Sequence, residues 1–287
     1  MKKILITGAT GFVGQHLVRE LASTNDYELF CVVRDIKKAK HNLPKGINII
    51  SDSDFDAISS FDIDIVVHLA SYLTSKDDED SIEKILEANV IYGTKILSVL
   101  RDFKNLKFIN IGSFAEYRNG AEKPDAAYFY TAAKQAFRPI LDYFAAKGRW
   151  DYVHLIPYTI YGGENNQKII IDFVRESLDA EEPVKMTLGY QVSDFIHIND
   201  VIGCIRFFIE HPQKWERQKG EVYHLGTGRG TSIRELAKLF ESKIGKTCNI
   251  EWGAYPYRER DVMYAVAPIG KLLDLGWQAQ IRLEDGI

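Results

Sequence analysis

The chain has 287 residues, 46% of them hydrophobic, and a formal net charge of −4 at pH 7. That is enough to bury a sizeable core in one or two domains. The near-balanced charge argues against a nucleic-acid scavenger or a polybasic membrane binder, and no apolar run approaches the roughly 20 residues of a membrane span.

The opening MKKILITGATG starts with basic residues, but its apolar run ILI is too short for a signal-peptide core and reads as a first strand at 3–8. GATGFVG follows at once, placing glycines at 8, 11 and 14 ahead of a helical pattern over 12–23. Strand, Gly-x-x-Gly-x-x-Gly and helix in that order build a dinucleotide site. Gly8 lets the chain turn, Gly11 lets backbone approach a pyrophosphate, and Gly14 lets the helix pack close on the strand. Thr10, Phe12 and Val13 belong to the same loop and join the expected cofactor set.

The second strand, YELFCVV at 27–33, ends on Val33, where an acid would accept the adenosine ribose hydroxyls. Arg34 follows, and a guanidinium suits the 2′-phosphate of NADP(H), so NADP(H) is the favoured cofactor. Asp35 lies one or two residues past the usual acid position and keeps NAD(H) open if the loop bends. Further β-rich runs stand at 47–50, 64–70, 106–112, 152–156 and 222–226, with helical patterns at 81–101, 131–147, 199–210 and 232–243. KDDED at 76–80 reads as a solvated loop. Cys31, Cys204 and Cys248 are far apart, without metal-ligand or disulfide spacing, so no metal is expected and a reducing cytoplasm fits.

Strands alternating with helices predict an α/β fold, a Rossmann-like doubly wound parallel sheet. The near-continuous apolar run IVVHLA is what a strand covered on both faces looks like. After YTIYGG the alternation weakens. The expected division is an NAD(P)-binding Rossmann domain over 1–163, to which 194–226 returns, and a smaller C-terminal substrate lobe from 164–193 and 227–287. That lobe should lie over the sheet's C-terminal edge, where ligands bind in such folds.

AAYFYTAAKQAF at 126–137 carries two tyrosines and a lysine at a helix start. Lys134 is four residues from Tyr130, about 40° around a helix, but six from Tyr128 and nearly opposite. Phe137, Leu141 and Phe144 continue the stripe that carries Tyr130 and Lys134, so that stripe should be buried. A buried ammonium is costly unless used, and beside a phenol it favours phenolate. Tyr-x-x-x-Lys taken alone reads first as a core tyrosine with a snorkelling lysine, and the rest of the sequence has to move that reading.

The motifs GATGFVG, DIVVHLAS (64–71), EANVIYGTKIL (87–97), NIGSFAEY (110–117), YTAAK (130–134), YTIYGG (158–163), SDFIHINDV (193–201) and YHLGTG (223–228) occur in the order seen in extended short-chain dehydrogenases/reductases of the NAD-dependent epimerase/dehydratase type. The resemblance continues through the C-terminal Arg-x-x-Asp, Leu-Gly-Trp and Leu-x-x-Gly signatures within 257–287. It implies that Tyr130 is the catalytic acid/base, Lys134 its electrostatic partner and ribose ligand, and Ser113 the hydroxyl that orients a sugar carbonyl. It also implies cofactor contacts from Asp52, Leu69, Ala70, Ser71, Asn89 and Pro157, and substrate contacts from Thr159, Phe195 and Arg258. A carbonyl receiving hydride needs a proton donor and a hydrogen bond at one oxygen, which the trio would supply.

The departures narrow the chemistry. The family's 4,6-dehydratases follow the hydroxyl residue with Asp-Glu, but Phe114 and Ala115 stand here. No catalytic cysteine with a histidine partner appears near 113, which argues against a 3,5-epimerase. Thr159 replaces a frequent substrate-binding asparagine, and Ser193 a frequent arginine near the nucleotide. Pro139 should kink its helix.

What remains is a 4-ketoreductase or an NAD-retaining 4-epimerase of a nucleotide-linked hexose, beside a non-catalytic NAD(P)-sensing regulator on the same fold. Val33 and Arg34 favour an NADPH-dependent reductase. The final third and GSFAEY look most like reductases that make deoxyhexoses such as abequose from CDP- or dTDP-4-keto-6-deoxy sugars. The expected partners are a nucleotide sugar and a second copy, because Ile85, Leu86, Val90, Ile96, Leu97 and Leu100 exceed one apolar stripe. The chain stops at LEDGI, where the family generally continues into a last helix, which leaves a truncated C-terminus open.

Overall fold

A computed structural model describes all of residues 1–287. Six parallel strands, β1 (Lys2–Thr7), β2 (Tyr27–Val33), β3 (Asn48–Ser51), β4 (Ile65–His68), β5 (Lys107–Ile111) and β6 (Asp151–Pro157), form one sheet in the order 6-5-4-1-2-3. A seventh parallel strand, Lys219–Leu225, pairs outside β6. The chain winds outward one way from β1 through β3 and the other way from β4 onward. The crevice between β1 and β4 is therefore the topological switch point.

Alternation along the strands explains the unbroken apolar runs. Ile4 and Ile6 of β1, Leu29 and Cys31 of β2, and Ile65 and Val67 of β4 face one layer, which α1 (Phe12–Thr24) and the helix Ile198–Glu210 cover. Leu5, Phe30 and Val66 face the other, with Ile96, Leu100, Phe137 and Leu141 from the opposite helices. From its third residue onward each of β1 and β2 is buried, as is all of β4, each large side chain contributing about 1.5–3 kcal/mol relative to exposure. That gross gain is offset largely by the entropy of ordering the chain.

The helical pattern at 81–101 forms as a continuous run, Glu79–Leu86, a π-helical turn Glu87–Ile91, and Tyr92–Leu100. The helix Phe129–Gly148 continues through Pro139, which lies on its exposed face. Of the apolar positions expected to seat a second copy, Ile85, Ile96, Leu97 and Leu100 are consumed by the core, while Leu86 remains exposed with Ile91 and Tyr143.

Short strands build the C-terminal lobe. Thr159–Tyr161 pairs with Phe195–His197, Val184–Met186 with Ile250–Trp252, and Val192–Ser193 lies between Thr231–Ser232 and Tyr264–Ala265. Its core gathers Tyr161, Ile171, Met186, Phe195, Leu236 and Phe240. No helix is long and apolar enough to cross a membrane.

Candidate active site

In register, Thr7 faces His68, His68 faces Asn110, and Asn110 faces His154, so the C-terminal ends of β1, β4, β5 and β6 lie in line. The glycine loop, Leu69–Ser71, Ser113 and Thr159 all emerge from that edge. At its centre the Thr7 hydroxyl bonds His68 Nδ1 at 2.8 Å and accepts the Ala70 N–H at 3.2 Å, tying the β4 loop to β1.

The glycines are where backbone crowds backbone. Gly8 has φ +70°, and a Cβ there would meet the Ala70 nitrogen at 2.7 Å; a Cβ on Gly14 would meet the Gly8 carbonyl oxygen at 2.2 Å. Gly11 is different: it is exposed and caps α1 without a side-chain hydrogen bond. The first N–H groups of a thirteen-residue helix therefore open outward beside Gly11, flanked by Thr10, Phe12 and Val13. This cradle fits a pyrophosphate of a nicotinamide dinucleotide, which a side chain at 11 would obstruct.

At the adenosine end, Arg34 is exposed just past β2, and its charge acts on the Tyr92 phenol together with that of Asp52. The Asp52 N–H donates to the Val33 carbonyl at 3.0 Å. Asp35 is committed elsewhere: it caps the helix Ile36–Asn42 by accepting the Lys38 N–H at 2.9 Å. Asn89 is buried in the π-helical turn. Its oxygen accepts from Ser71 Oγ at 2.8 Å and the Tyr72 N–H at 3.1 Å, and its amide donates to the Tyr72 carbonyl at 3.0 Å. Asn89 thus shapes the 69–72 loop, and the π turn, a feature frequent at functional sites, turns it inward. Pro157 closes β6, paired with Leu225 and buried beside Thr159.

Ser113, Tyr130 and Lys134 come together. The Ser113 and Tyr130 hydroxyls are 3.1 Å apart, and Lys134 Nζ donates to the Ile111 carbonyl at 2.9 Å. Burial lowers the Lys134 ammonium to about 8, Glu116 opposing and Arg138 adding to that effect. Burial, rather than the charge of Lys134, is the largest influence on the phenol. It raises the Tyr130 pKa above its ordinary value, the Ser113 hydrogen bond works against it, and Lys134 gives one of its three N–H donors to the strand carbonyl. Phenol and ammonium are therefore the forms this site holds at neutral pH.

Phe114 stacks on Tyr158 at 5.7 Å between ring centroids, and Ala115 is buried, so the two positions after Ser113 are apolar in place as in sequence. Glu116 is the nearby carboxylate, but it is 0% exposed and faces away, accepting the Ser113 N–H at 2.8 Å and pairing with Arg138. The capping-box spacing Ser113-x-x-Glu116 is visible in the sequence and passed unused.

On the lobe side, Thr159 lies opposite Phe195 in register. The Phe195 ring is 2% exposed and packs in the lobe's core, so any part it plays with substrate runs through its strand. Arg258 is exposed and lies over the Tyr128 ring at 5.9 Å, beside a cleft of about 500 Å³ that Arg118, Tyr257 and Asp261 also line. Tyr128, which the helical spacing sets aside, stacks parallel to Tyr130 at 6.0 Å and donates to Asp261 at 3.3 Å.

Asp194 has no counterpart in the sequence reading. Fully buried, it accepts the Thr227 N–H at 2.9 Å, Thr227 Oγ1 at 2.6 Å, the Gly228 N–H at 2.8 Å and the Ala267 N–H at 3.2 Å. It joins the sheet's last strand to the lobe. One acid just ahead of the apolar Phe195 and Ile196 was its only local sign, because its partners lie 33 to 73 residues on.

Comparisons with known proteins agree with this geometry. The profile of the NAD dependent epimerase/dehydratase family matches residues 4–226. CDP-abequose synthase of Salmonella typhimurium is 25% identical over 292 residues, covering 99% of this chain and 95% of that protein. CDP-abequose synthase of Salmonella muenchen is 27% identical over 291 residues, covering 100% and 96%. UDP-glucuronic acid 4-epimerase from Bacillus cereus, solved with UDP-glucuronic acid and NAD, shares the fold with a TM-score of 0.85 at 22% identity, covering 99% of this chain and 96% of that one. With the glycine loop and the Tyr-x-x-x-Lys helix both inside the matched span, this chain belongs to the NAD-dependent epimerase/dehydratase family of enzymes.

Proposed function

We propose that the protein is an NADPH-dependent 4-ketoreductase of a CDP- or dTDP-linked 4-keto-6-deoxyhexose. The observation that carries the reading is the buried Ser113–Tyr130 pair with no free carboxylate beside it. Eliminating water from a sugar needs an acid and a base next to the carbonyl; Phe114 and Ala115 supply neither, and Glu116 is sealed behind the turn. The likeness to CDP-abequose synthases supports the substrate class.

A bound NADPH supplies the hydride for C4. The glycine loop and the start of α1 would hold its pyrophosphate, Arg34 would take the 2′-phosphate, and Lys134 would donate to its ribose. Ser113 Oγ and the Tyr130 hydroxyl converge on the carbonyl oxygen. As negative charge grows there, Tyr130 gives its proton and Ser113 steadies the oxygen, leaving an alcohol. The Lys134 ammonium offsets the phenolate that remains. Thr159, Arg258 and the lobe of 164–193 and 227–287 hold the nucleotide sugar.

A 4-epimerase retaining NAD is the second reading, favoured by the fold shared with the NAD-bound Bacillus cereus enzyme. The test is NADPH oxidation with a panel of CDP- and dTDP-4-keto-6-deoxyhexoses, alongside mass spectrometry of copurifying nucleotides. Oxidation matched by a reduced sugar product is expected. Interconversion of 4-epimers without added cofactor, with NAD copurifying, would establish the epimerase instead; tight NAD(P) binding with no turnover would leave a sensor.

A further inference from the structure

The helix carrying Tyr130 grips the Ser113 turn a second time, further along its length. Gln135 Nε2 donates to the Glu116 carbonyl at 2.6 Å. Arg138, one helical turn beyond Lys134, pairs with the Glu116 carboxylate and donates to the Tyr117 hydroxyl at 2.8 Å. The other Glu116 oxygen accepts the Ser113 N–H. Both carboxylate oxygens thus face N–H donors, which is the setting of an ionised, compensated acid.

We propose that Glu116 and Arg138 are a positioning pair for the reaction: Glu116 aims the Ser113 hydroxyl at Tyr130 and provides the negative charge that keeps Lys134 an ammonium. This rests on the proposed roles of Ser113, Tyr130 and Lys134. Lys134 faces Glu116 from the turn, Arg138 from its own helix and His68 from β4. Burial takes His68 down to about 3, so that ring is neutral at working pH. Glu116 is then the one anion acting on the lysine, against burial and Arg138, which both favour the neutral amine. Burial leaves the Glu116 carboxyl above its ordinary range, and Arg138, Lys134 and the Ser113 N–H draw it back toward the charged form.

The sign follows. Removing the Glu116 charge takes away the influence that raises the Lys134 pKa, so deprotonation moves below about 8. Glu116→Gln keeps an oxygen for the Ser113 N–H and loses the charge together with the acceptor that faces Arg138. In protein labelled with 13C at lysine Cε, with the Lys134 signal identified by its loss in Lys134→Met, the titration midpoint should fall by on the order of one pH unit. The alkaline limb of turnover should move down with it, while KM and cofactor affinity stay near wild type. An unchanged midpoint overturns the electrostatic half of the proposal. Glu116→Asp keeps the charge on a shorter arm: the midpoint should hold and turnover should drop about tenfold, through the lost hydrogen bond that orients Ser113. Wild-type turnover in Glu116→Asp overturns the positioning half, and this variant decides even where Glu116→Gln does not fold. The titration needs no substrate. A shifted midpoint in a protein that reduces no 4-keto sugar would refute the reductase reading and leave the pair standing.

Discussion

The two sides of the candidate site are held by different kinds of contact. On the sheet side Ser113, Glu116 and Tyr130 are at most 9% exposed, and the strand ends that carry the loops are locked in register. On the lobe side the segment 257–264 reaches across through exposed groups: Arg260 bonds Asp125 and the Ala126 carbonyl, each at 2.6 Å, and Asp261 takes the Tyr128 hydroxyl. Exposed ion pairs are worth roughly 0–1 kcal/mol, whereas breaking a buried one costs about 3–5 kcal/mol. On the proposed reading, proton transfer falls to the buried side and recognition to the more exposed segment 257–264. Substitutions on the sheet side should damage turnover, and those on the lobe side should damage substrate affinity.

The strongest way to break this contrast is at Tyr130. Tyr130→Phe removes the proton donor and keeps the ring in its pocket, so turnover should fall about 100-fold to 10,000-fold. Cofactor affinity, read by fluorescence titration, and the melting temperature should stay near wild type. Substantial turnover in this variant would mean that the buried trio is a structural feature.

A smaller effect is expected at Arg34, on the sheet side but exposed. With Asp35 engaged in capping, the guanidinium is the group left to meet a 2′-phosphate, and a lost charged contact costs on the order of 1.5–3 kcal/mol. Arg34→Ala should weaken NADPH binding about tenfold or more and leave NADH nearly unchanged. Equal losses for both cofactors, or tighter NADH binding by the wild type, would reverse the assignment.

Legibility in the sequence divides along the same line. The parallel sheet, the glycine loop and the Tyr130–Lys134 face follow from patterns a few residues long: strand alternation, glycine spacing, helical period. Gly8 and Gly14 stand where only a missing Cβ fits, so their spacing was informative. The partners of Asp194, and those of Arg260 and Asp261 across the site, escaped because they lie far along the chain, and nothing local to SDFIH tells of Ala267. Phe195 shows the converse: matched to a family motif, it proves to be lobe core. The weight of burial on the phenol escaped for a different reason. Period placed Lys134 on the Tyr130 face, but only the fold shows its donor directed at the Ile111 carbonyl and burial dominating both groups.

The smallest expected effect is the sharpest test of the contrast, because Tyr128 touches both sides. Its ring lies parallel to Tyr130, yet its hydroxyl belongs to the lobe through Asp261, at 3.3 Å. Tyr128→Phe keeps the ring that Arg258 overlies and deletes only that long hydrogen bond, worth about 0.5–1.5 kcal/mol. The KM for the nucleotide sugar should rise about two- to tenfold, with kcat and cofactor affinity almost unmoved. Asp261→Asn keeps an acceptor for the phenol and should do less. Joining Tyr128→Phe to Asp261→Ala should cost little beyond the worse single change, since both remove one contact. A kcat loss in Tyr128→Phe as deep as that in Tyr130→Phe would place the proton donor two residues earlier. The helix face chosen from the spacing of Lys134 would then be the wrong one.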